Sequence, residues 1–136
     1  MRAGALALLV LAAPVAAQAP QIDCQAADLT QTELTFCAAE AWEAADGELN
    51  LVYGLAITQA KVIDEENALL EVETPIPVEQ ALRQAQRDWI VFRDAACSAE
   101  AMLVQGGTAQ PMVGTLCLAR LTRRRTDDLR LFVERN

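Results

Sequence analysis

Apolar residues recur at steps of three and four along most of this chain, and that spacing restricts it to helices. The longest stretch of the pattern begins at Leu34 and continues past Ile57 to Val62. A half-buried strand would need strict alternation of apolar and polar residues, and the sequence has no segment of that kind. The sequence therefore predicts an all-α fold.

Two short interruptions divide the helical pattern into three parts. Thr30 and Glu33 have the spacing of a capping box, so the first helix is expected to start at Thr30. Two prolines within residues 71–77 separate the first helix from the second, and Gly106 and Gly107 end the second. The prediction is a small three-helix up-down bundle with short connections, stapled by two disulfides.

The first residues indicate export. A positive start at Arg2, an apolar run over residues 5–13 and small residues before Gln18 form a secretory signal peptide, residues 1–17. Residues 18–29 are then an irregular segment, and residues 30–136 form the helical domain. Because the cleavage site is not followed directly by a cysteine, we expect a periplasmic or secreted protein without a lipid anchor. Membrane insertion is not expected, since no apolar run reaches about 18 residues.

The four cysteines of an exported chain predict two disulfides, with three possible connectivities. Cys97 and Cys117 lie at similar heights on either side of the second connection, and the segment that carries Cys24 can fold back to Cys37. This favours Cys24–Cys37 with Cys97–Cys117. The crossed pairings also fit, because Cys37 starts at the same end of the bundle.

Charge and composition narrow the possible functions. Without Arg2, 10 basic side chains stand against 19 acidic ones, a net charge of −9, which disfavours nucleic acid and favours a cationic protein partner. The chain has no histidine, so imidazole-based catalysis and imidazole metal sites are excluded. Ser98, the only serine, has no base to activate it. We expect a non-enzymatic protein without a metal or cofactor; its oligomeric state is left open.

The second helix carries the most distinctive segment, residues 85–97. A helical wheel predicts that Trp89 and Phe92 face the core. Leu82, Ala85, Ala96 and Leu103 lie on the same predicted face. Arg93 lies about 40° from Trp89 on the wheel, and we expect it to pair with Asp46 of the first helix. Asp94 is expected to form local surface pairs. The alternative is that the aromatic residues line a ligand cleft.

The third helix, from Pro111 onward, combines an apolar face with a charged middle. Its predicted inward residues are Val113, Leu116, Cys117, Leu121, Leu129 and Phe132. The basic run 123–125 is followed by Asp127 and Asp128, which predicts intrahelical salt bridges rather than a basic binding surface.

These residues, in this order, resemble one known family, the DUF1311 family or lysozyme inhibitor LprI-like N-terminal domain. The similarity covers almost the whole chain after the leader and is carried by Cys24, Thr32, Glu33, Cys37, Ala38, Ala45, Asp46, Leu49, Asn50, Tyr53, Ala85, Gln86, Arg87, Trp89, Phe92, Arg93, Asp94, Cys97, Gly106, Gly107, Thr108, Pro111, Met112, Cys117, Leu121, Thr122 and Arg125.

The resemblance implies an exported, disulfide-bonded helical domain without catalytic residues, whose partner is a lysozyme or a related cationic hydrolase. An envelope structural or stress-resistance module that binds another protein is the alternative. The candidate structural or interaction residues are Asp46, Asn50, Gln86, Arg87, Trp89, Arg93 and Asp94. The candidate partner-contact loop comprises Gly106, Gly107, Thr108 and Pro111.

Overall fold

The computed structural model describes residues 22–134, which form three helices and no strand. Helix α1 spans Gln31–Leu69, α2 spans Val78–Ala101 and α3 spans Gln110–Glu134, and one 3₁₀ turn at Met102–Val104 follows α2. The predicted all-α three-helix bundle is confirmed. The predicted signal peptide lies outside the described residues. Within them, none of the helices combines the length and the apolar character needed to cross a membrane.

Contacts along the helices define their directions. Gln31 lies beside Met112 and Ala41 beside Arg123, so α1 and α3 run parallel. Helix α2 runs antiparallel to both, because its start lies beside Asp64 near the end of α1. Of the three helix pairs, α1 and α3 share the most extensive contact.

The predicted capping box starts α1. The Thr30 hydroxyl accepts from the Glu33 amide at 3.4 Å, and the Glu33 carboxylate accepts from the Thr30 amide at 2.8 Å. Hydrogen bonds from Thr30 lower the pKa of Glu33 below its ordinary 4.5. The charged carboxylate therefore stabilises the first turn of the helix.

The start of α2 is capped by a residue of α1. The N-cap residue of α2 is Pro77, which makes no side-chain capping bond. The Asp64 carboxylate instead accepts from the amides of Val78 at 2.6 Å and Glu79 at 3.0 Å. Two otherwise unpaired amides, and the positive end of the helix dipole, are thereby satisfied across the connection.

Small residues allow the three helices to approach closely. Five alanines are no more than 3% exposed: Ala38, Ala45, Ala56, Ala60 and Ala119. Larger side chains fill the space between them, chiefly those of Leu49, Leu82 and Leu129. An alanine-rich core buries little apolar area for each residue, so cross-links add a large share of the stability.

Both disulfides lie at the end of the bundle where α1 begins. Cys24 is joined to Cys37, with Cα atoms 5.6 Å apart, and Cys97 to Cys117, with Cα atoms 5.3 Å apart. This is the pairing that the sequence favours. Each bridge typically contributes about 2–4 kcal/mol of stability by restricting the unfolded chain.

The inward face of α2 differs from the predicted one. Phe92 is 61% exposed, Leu103 is 82% exposed and Ala85 is exposed as well, so these three predictions were wrong. The residues that are buried on α2 are Leu82, Gln86, Arg93 and Cys97. That face is turned by about 60° from the predicted one. The disulfide accounts for the rotation, because Cys97 must face α3 to reach Cys117, and Phe92 then points outward.

The charged middle of α3 also differs from the prediction. Leu116 is half-exposed, whereas Thr122 and Thr126 are buried. Arg123 and Arg125 of the basic run make contacts across the bundle, and the intrahelical salt bridge of Asp127 is formed with Arg130 instead of with that run. Arg123 donates to the main-chain oxygen of Ala41 at 3.4 Å, and Asp127 pairs with Arg130 at 2.8 Å.

We expect Asp64→Ala to lower the free energy of unfolding by about 1–2 kcal/mol, because two amides at the start of α2 lose their acceptor. Urea denaturation followed by far-UV circular dichroism measures the change. The matched control, Glu65→Ala, removes an adjacent exposed carboxylate that makes no capping contact. Equal effects of the two substitutions would contradict the capping role.

The capping box predicts a pH dependence at the start of α1. Because the folded pKa of Glu33 is lowered, its contribution is present above the unfolded pKa and is lost as pH falls through the folded value. Glu33→Gln should therefore be less stable than the parent near neutral pH, and the difference should vanish in acid. Urea unfolding across pH 2–7, roughly the range in which carboxyl groups titrate, tests this. A difference that does not change with pH would contradict it.

Candidate functional site

The candidate site is centred on Arg93, a buried cation in the middle of α2. Arg93 is only 8% exposed. Its guanidinium carbon lies 5.1 Å from the ring centroid of Trp89 and 6.0 Å from that of Trp42. Both distances fall within the range of cation–π attraction. The aromatic residues of this region therefore surround a charge, in addition to packing against the core.

Two carboxylates neutralise Arg93 from opposite helices. Its Nε donates to Asp94 Oδ1 at 2.8 Å, and its Nη1 lies 3.6 Å from Asp46 Oδ1 on α1. Asp46 is held in turn by Asn50, whose Nδ2 donates to Asp46 Oδ2 at 3.1 Å. The predicted Arg93–Asp46 pair is present, and the surface partner of Asp94 is Arg93 itself. Two carboxylates for one guanidinium leave the cluster with one negative charge.

A second polar contact joins α2 to α3 two turns away. Gln86 is buried, and its Oε1 accepts from Arg125 Nε at 3.0 Å. Burial lowers the pKa of the Arg125 guanidinium, although that group remains charged at any physiological pH. Arg125 thus supplies a buried donor for Gln86 rather than a surface charge.

An open cavity of about 540 Å³ adjoins the Arg93 cluster. It lies between α2 and the start of α3, with one wall from α1. Its lining residues are Trp42, Arg93, Asp94, Cys97, Ser98, Ala101, Gln110, Pro111, Gly114, Thr115 and Leu118. The size falls within the range of about 300–1,000 Å³ that is typical of small-molecule sites.

The structure brings together only part of the predicted site. Asp46, Asn50, Trp89, Arg93 and Asp94 form one cluster. Gln86 belongs to the separate contact with Arg125. Arg87 is exposed and donates to Gln84 at 2.6 Å, away from the cluster.

The predicted contact loop borders the cavity at one residue. Pro111 lines the cavity, while Gly106, Gly107 and Thr108 are exposed beyond it. Gly106 has a φ of 79°, which a side chain would strain, and its amide donates to Gln110 at 3.1 Å. The loop thereby fixes the position of Gln110 at the cavity edge.

Seven cavity residues were not among the predicted site residues: Trp42, Ser98, Ala101, Gln110, Gly114, Thr115 and Leu118. Trp42 precedes Asp46 by four residues, so the two share a helix face, and this spacing is the signal that could have found it. The indole nitrogen of Trp42 is buried without a hydrogen-bond partner. Ser98 follows Asp94 by the same spacing on α2. Thr115 carries no comparable signal.

Comparison with known proteins identifies the family. The family model described as lysozyme inhibitor LprI matches residues 23–129. The chain belongs to the LprI family. The matched range contains both disulfides, the Arg93 cluster and every residue that lines the cavity.

Two relatives of this LprI-family chain agree with that assignment. The chain is 39% identical over 137 residues to an uncharacterized protein of Rhizobium meliloti (strain 1021), an alignment that covers 98% of this chain and 97% of the relative. It is also similar to the crystal structure of a DUF1311 family protein from Pseudomonas putida KT2440. The TM-score is 0.64 and the identity 25%, with 79% of this chain and 97% of that chain covered.

We expect Arg93→Met to lower the free energy of unfolding by about 2 kcal/mol. Methionine keeps the stem packing but loses both ring contacts and both ion pairs, and the remaining carboxylates stay partly hydrated. Arg87→Met is the matched control on an exposed face of α2 and should change stability by less than about 0.5 kcal/mol. Urea denaturation measures both, and indistinguishable values would contradict a stabilising role for Arg93.

Proposed function

We propose that this chain is an exported, non-enzymatic protein that binds and inhibits a lysozyme or a related cationic hydrolase. The observation that carries the proposal is its membership of the LprI family, over a range that includes the cavity and all of the bundle except the last residues of α3. Export is supported by the leader-like residues 1–17 and by four cysteines that are all paired in disulfides.

The charge of the protein supports a cationic partner. The full chain carries a formal net charge of −8. Many lysozymes are basic, so the long-range field would draw the two proteins together and raise the association rate at low salt. The Arg93 cluster adds one negative charge beside the cavity, so the local charge has the same sign as the whole.

The chemistry of the site favours binding over catalysis. Asp46 and Asp94 are both paired with Arg93, which suits them to hold a charge in place more than to act as a general acid or base. The Ser98 hydroxyl lies in the cavity wall of a chain that contains no histidine to activate it. We therefore assign the cavity to contact with a partner.

An envelope interaction module without lysozyme activity is the second candidate function. It is favoured by an apolar stripe on α1, opposite the core, formed by Leu51, Leu55, Val62 and Leu69. Exposed apolar stripes of this kind commonly contact other proteins. In that case the parent protein would bind its envelope partner and would not inhibit lysozymes. The Leu55→Glu variant would no longer bind that partner.

The purified, oxidised protein should inhibit the lytic activity of at least one class in a panel of chicken-type, goose-type and phage-type lysozymes. Inhibition should weaken as salt rises from about 20 mM to about 200 mM, because the Debye length shortens. Turbidity loss of a cell-wall suspension gives the rate. A variant with both Cys97 and Cys117 changed to alanine serves as a destabilised control. Absence of inhibition across the panel at low salt would reject the proposal in favour of the interaction module.

A further inference from the structure

The walls of the cavity beside Arg93 are suited to an unbranched apolar chain. Pro111, Gly114 and Leu118 of α3 form one wall, and Cys97 and Ala101 of α2 form the other. Gly114 keeps the helices close at the bottom, because a Cβ placed there would lie 3.3 Å from the Cβ of Ala101. These surfaces offer van der Waals contact and few hydrogen bonds.

The cavity offers three oxygen acceptors, on Asp94, Ser98 and Thr115, beside donors on Trp42, Arg93 and Gln110. Asp94 is 56% exposed, and among the described residues only its Oδ1 is bonded, to Arg93. Ser98 stands one turn further along α2 and is exposed. The Thr115 hydroxyl donates to the Pro111 oxygen at 2.9 Å, which leaves the oxygen of Thr115 free to accept. The strongest of the acceptors is the Asp94 carboxylate, which forms its best hydrogen bonds with a charged donor.

The charged groups around the cavity determine whether it favours a cationic or an anionic ligand. Among residues 22–134, Arg93 is the only cation that lines the cavity, and it is paired with both Asp46 and Asp94. The last turn of α2, near Ser98 and Ala101, brings the negative end of one helix dipole to the cavity, and the first turn of α3, at Gln110 and Pro111, brings the positive end of another, so the two offset each other. The nearby Arg120 is occupied by Glu100 at 2.5 Å. The exposed carboxylate of Asp94 and the one net negative charge of the Arg93 cluster therefore favour a cation over an anion.

We propose that this cavity receives the arginine or lysine side chain of a basic partner protein. The methylene stem packs against Pro111 and Leu118, and the charged head is bound by Asp94 and Ser98. The inference rests on the proposed function in that a lysozyme would supply the side chain. The recognition chemistry holds for any basic protein that presents one.

The direct test uses small probes and the indole N–H signal of Trp42, which lines the cavity and is assigned by the Trp42→Phe variant. N-acetyl-arginine amide and N-acetyl-lysine amide should shift that signal saturably. The neutral N-acetyl-norleucine amide should bind at least about tenfold more weakly, since it lacks the charge. N-acetyl-glutamate amide should have no effect. Equal binding of the norleucine or glutamate probe, or no binding of the basic probes, overturns the inference.

Two variants locate the binding site. Asp94→Asn should weaken binding of the arginine probe about tenfold, whereas Asp88→Asn, on the same helix but outside the cavity, should not. Ser98→Lys places the protein's own cation at the exposed mouth and should abolish binding without disturbing the core. Circular dichroism and unfolding midpoints confirm that each variant folds. An Asp94→Asn protein that binds as tightly as Asp88→Asn overturns the inference.

The lysozyme assay separates this inference from the proposed function. If the basic probes bind but no lysozyme is inhibited, the cavity assignment stands and the proposed function fails. If a lysozyme is inhibited equally by the parent, Asp94→Asn and Ser98→Lys, the proposed function stands and this inference is overturned. Loss of inhibition in both variants, with Asp88→Asn unaffected, supports both.

Discussion

The burial of Arg93 between two tryptophans is the interaction on which the arrangement of this bundle depends. A guanidinium can leave water only if its charge and its donors are matched, and here two carboxylates and two aromatic rings do this together. The partners come from α1 and α2, so the rotation of each helix about its axis must satisfy the same cation. Lysine could not replace it equivalently, because a point charge cannot stack between two rings.

The Arg93 cluster stabilises the fold and also positions negative charge on the surface that a partner would contact. Asp46 and Asp94 face solvent on one side and Arg93 on the other, which keeps the negative charge at a defined position beside the cavity. One turn beyond Asp94, the Cys97–Cys117 bridge fixes α2 to α3, the two helices that form most of the cavity. The cavity is therefore built on helices and a disulfide, elements that change little on binding.

The elements of the fold were predictable because their signals are local. Thr30 and Glu33 mark the start of α1, the prolines of residues 71–77 mark the first connection, and Gly106 marks the second. The rotation of α2 was not predictable in this way. A helical wheel assigns the inward face from hydrophobicity, and on that basis it predicted that Phe92 faces the core. In the structure, the disulfide and the paired charges place Arg93 on the inward face instead. Interactions between Gln86 and Arg125, or between Asp64 and the start of α2, depend on tertiary proximity that no local spacing encodes.

The two disulfides cross-link some helices of the bundle and leave others without a cross-link. One bridge joins the N-terminal segment to α1, and the other joins α2 to α3. Neither crosses the connection at residues 71–77, so apart from that stretch of backbone α1 is held to the α2–α3 hairpin by non-covalent contacts alone. A single proteolytic cut in that connection would leave two separately cross-linked pieces able to dissociate and to recombine. The same connection is the hinge through which two molecules could exchange their α1 helices, a domain swap that the disulfides do not prevent.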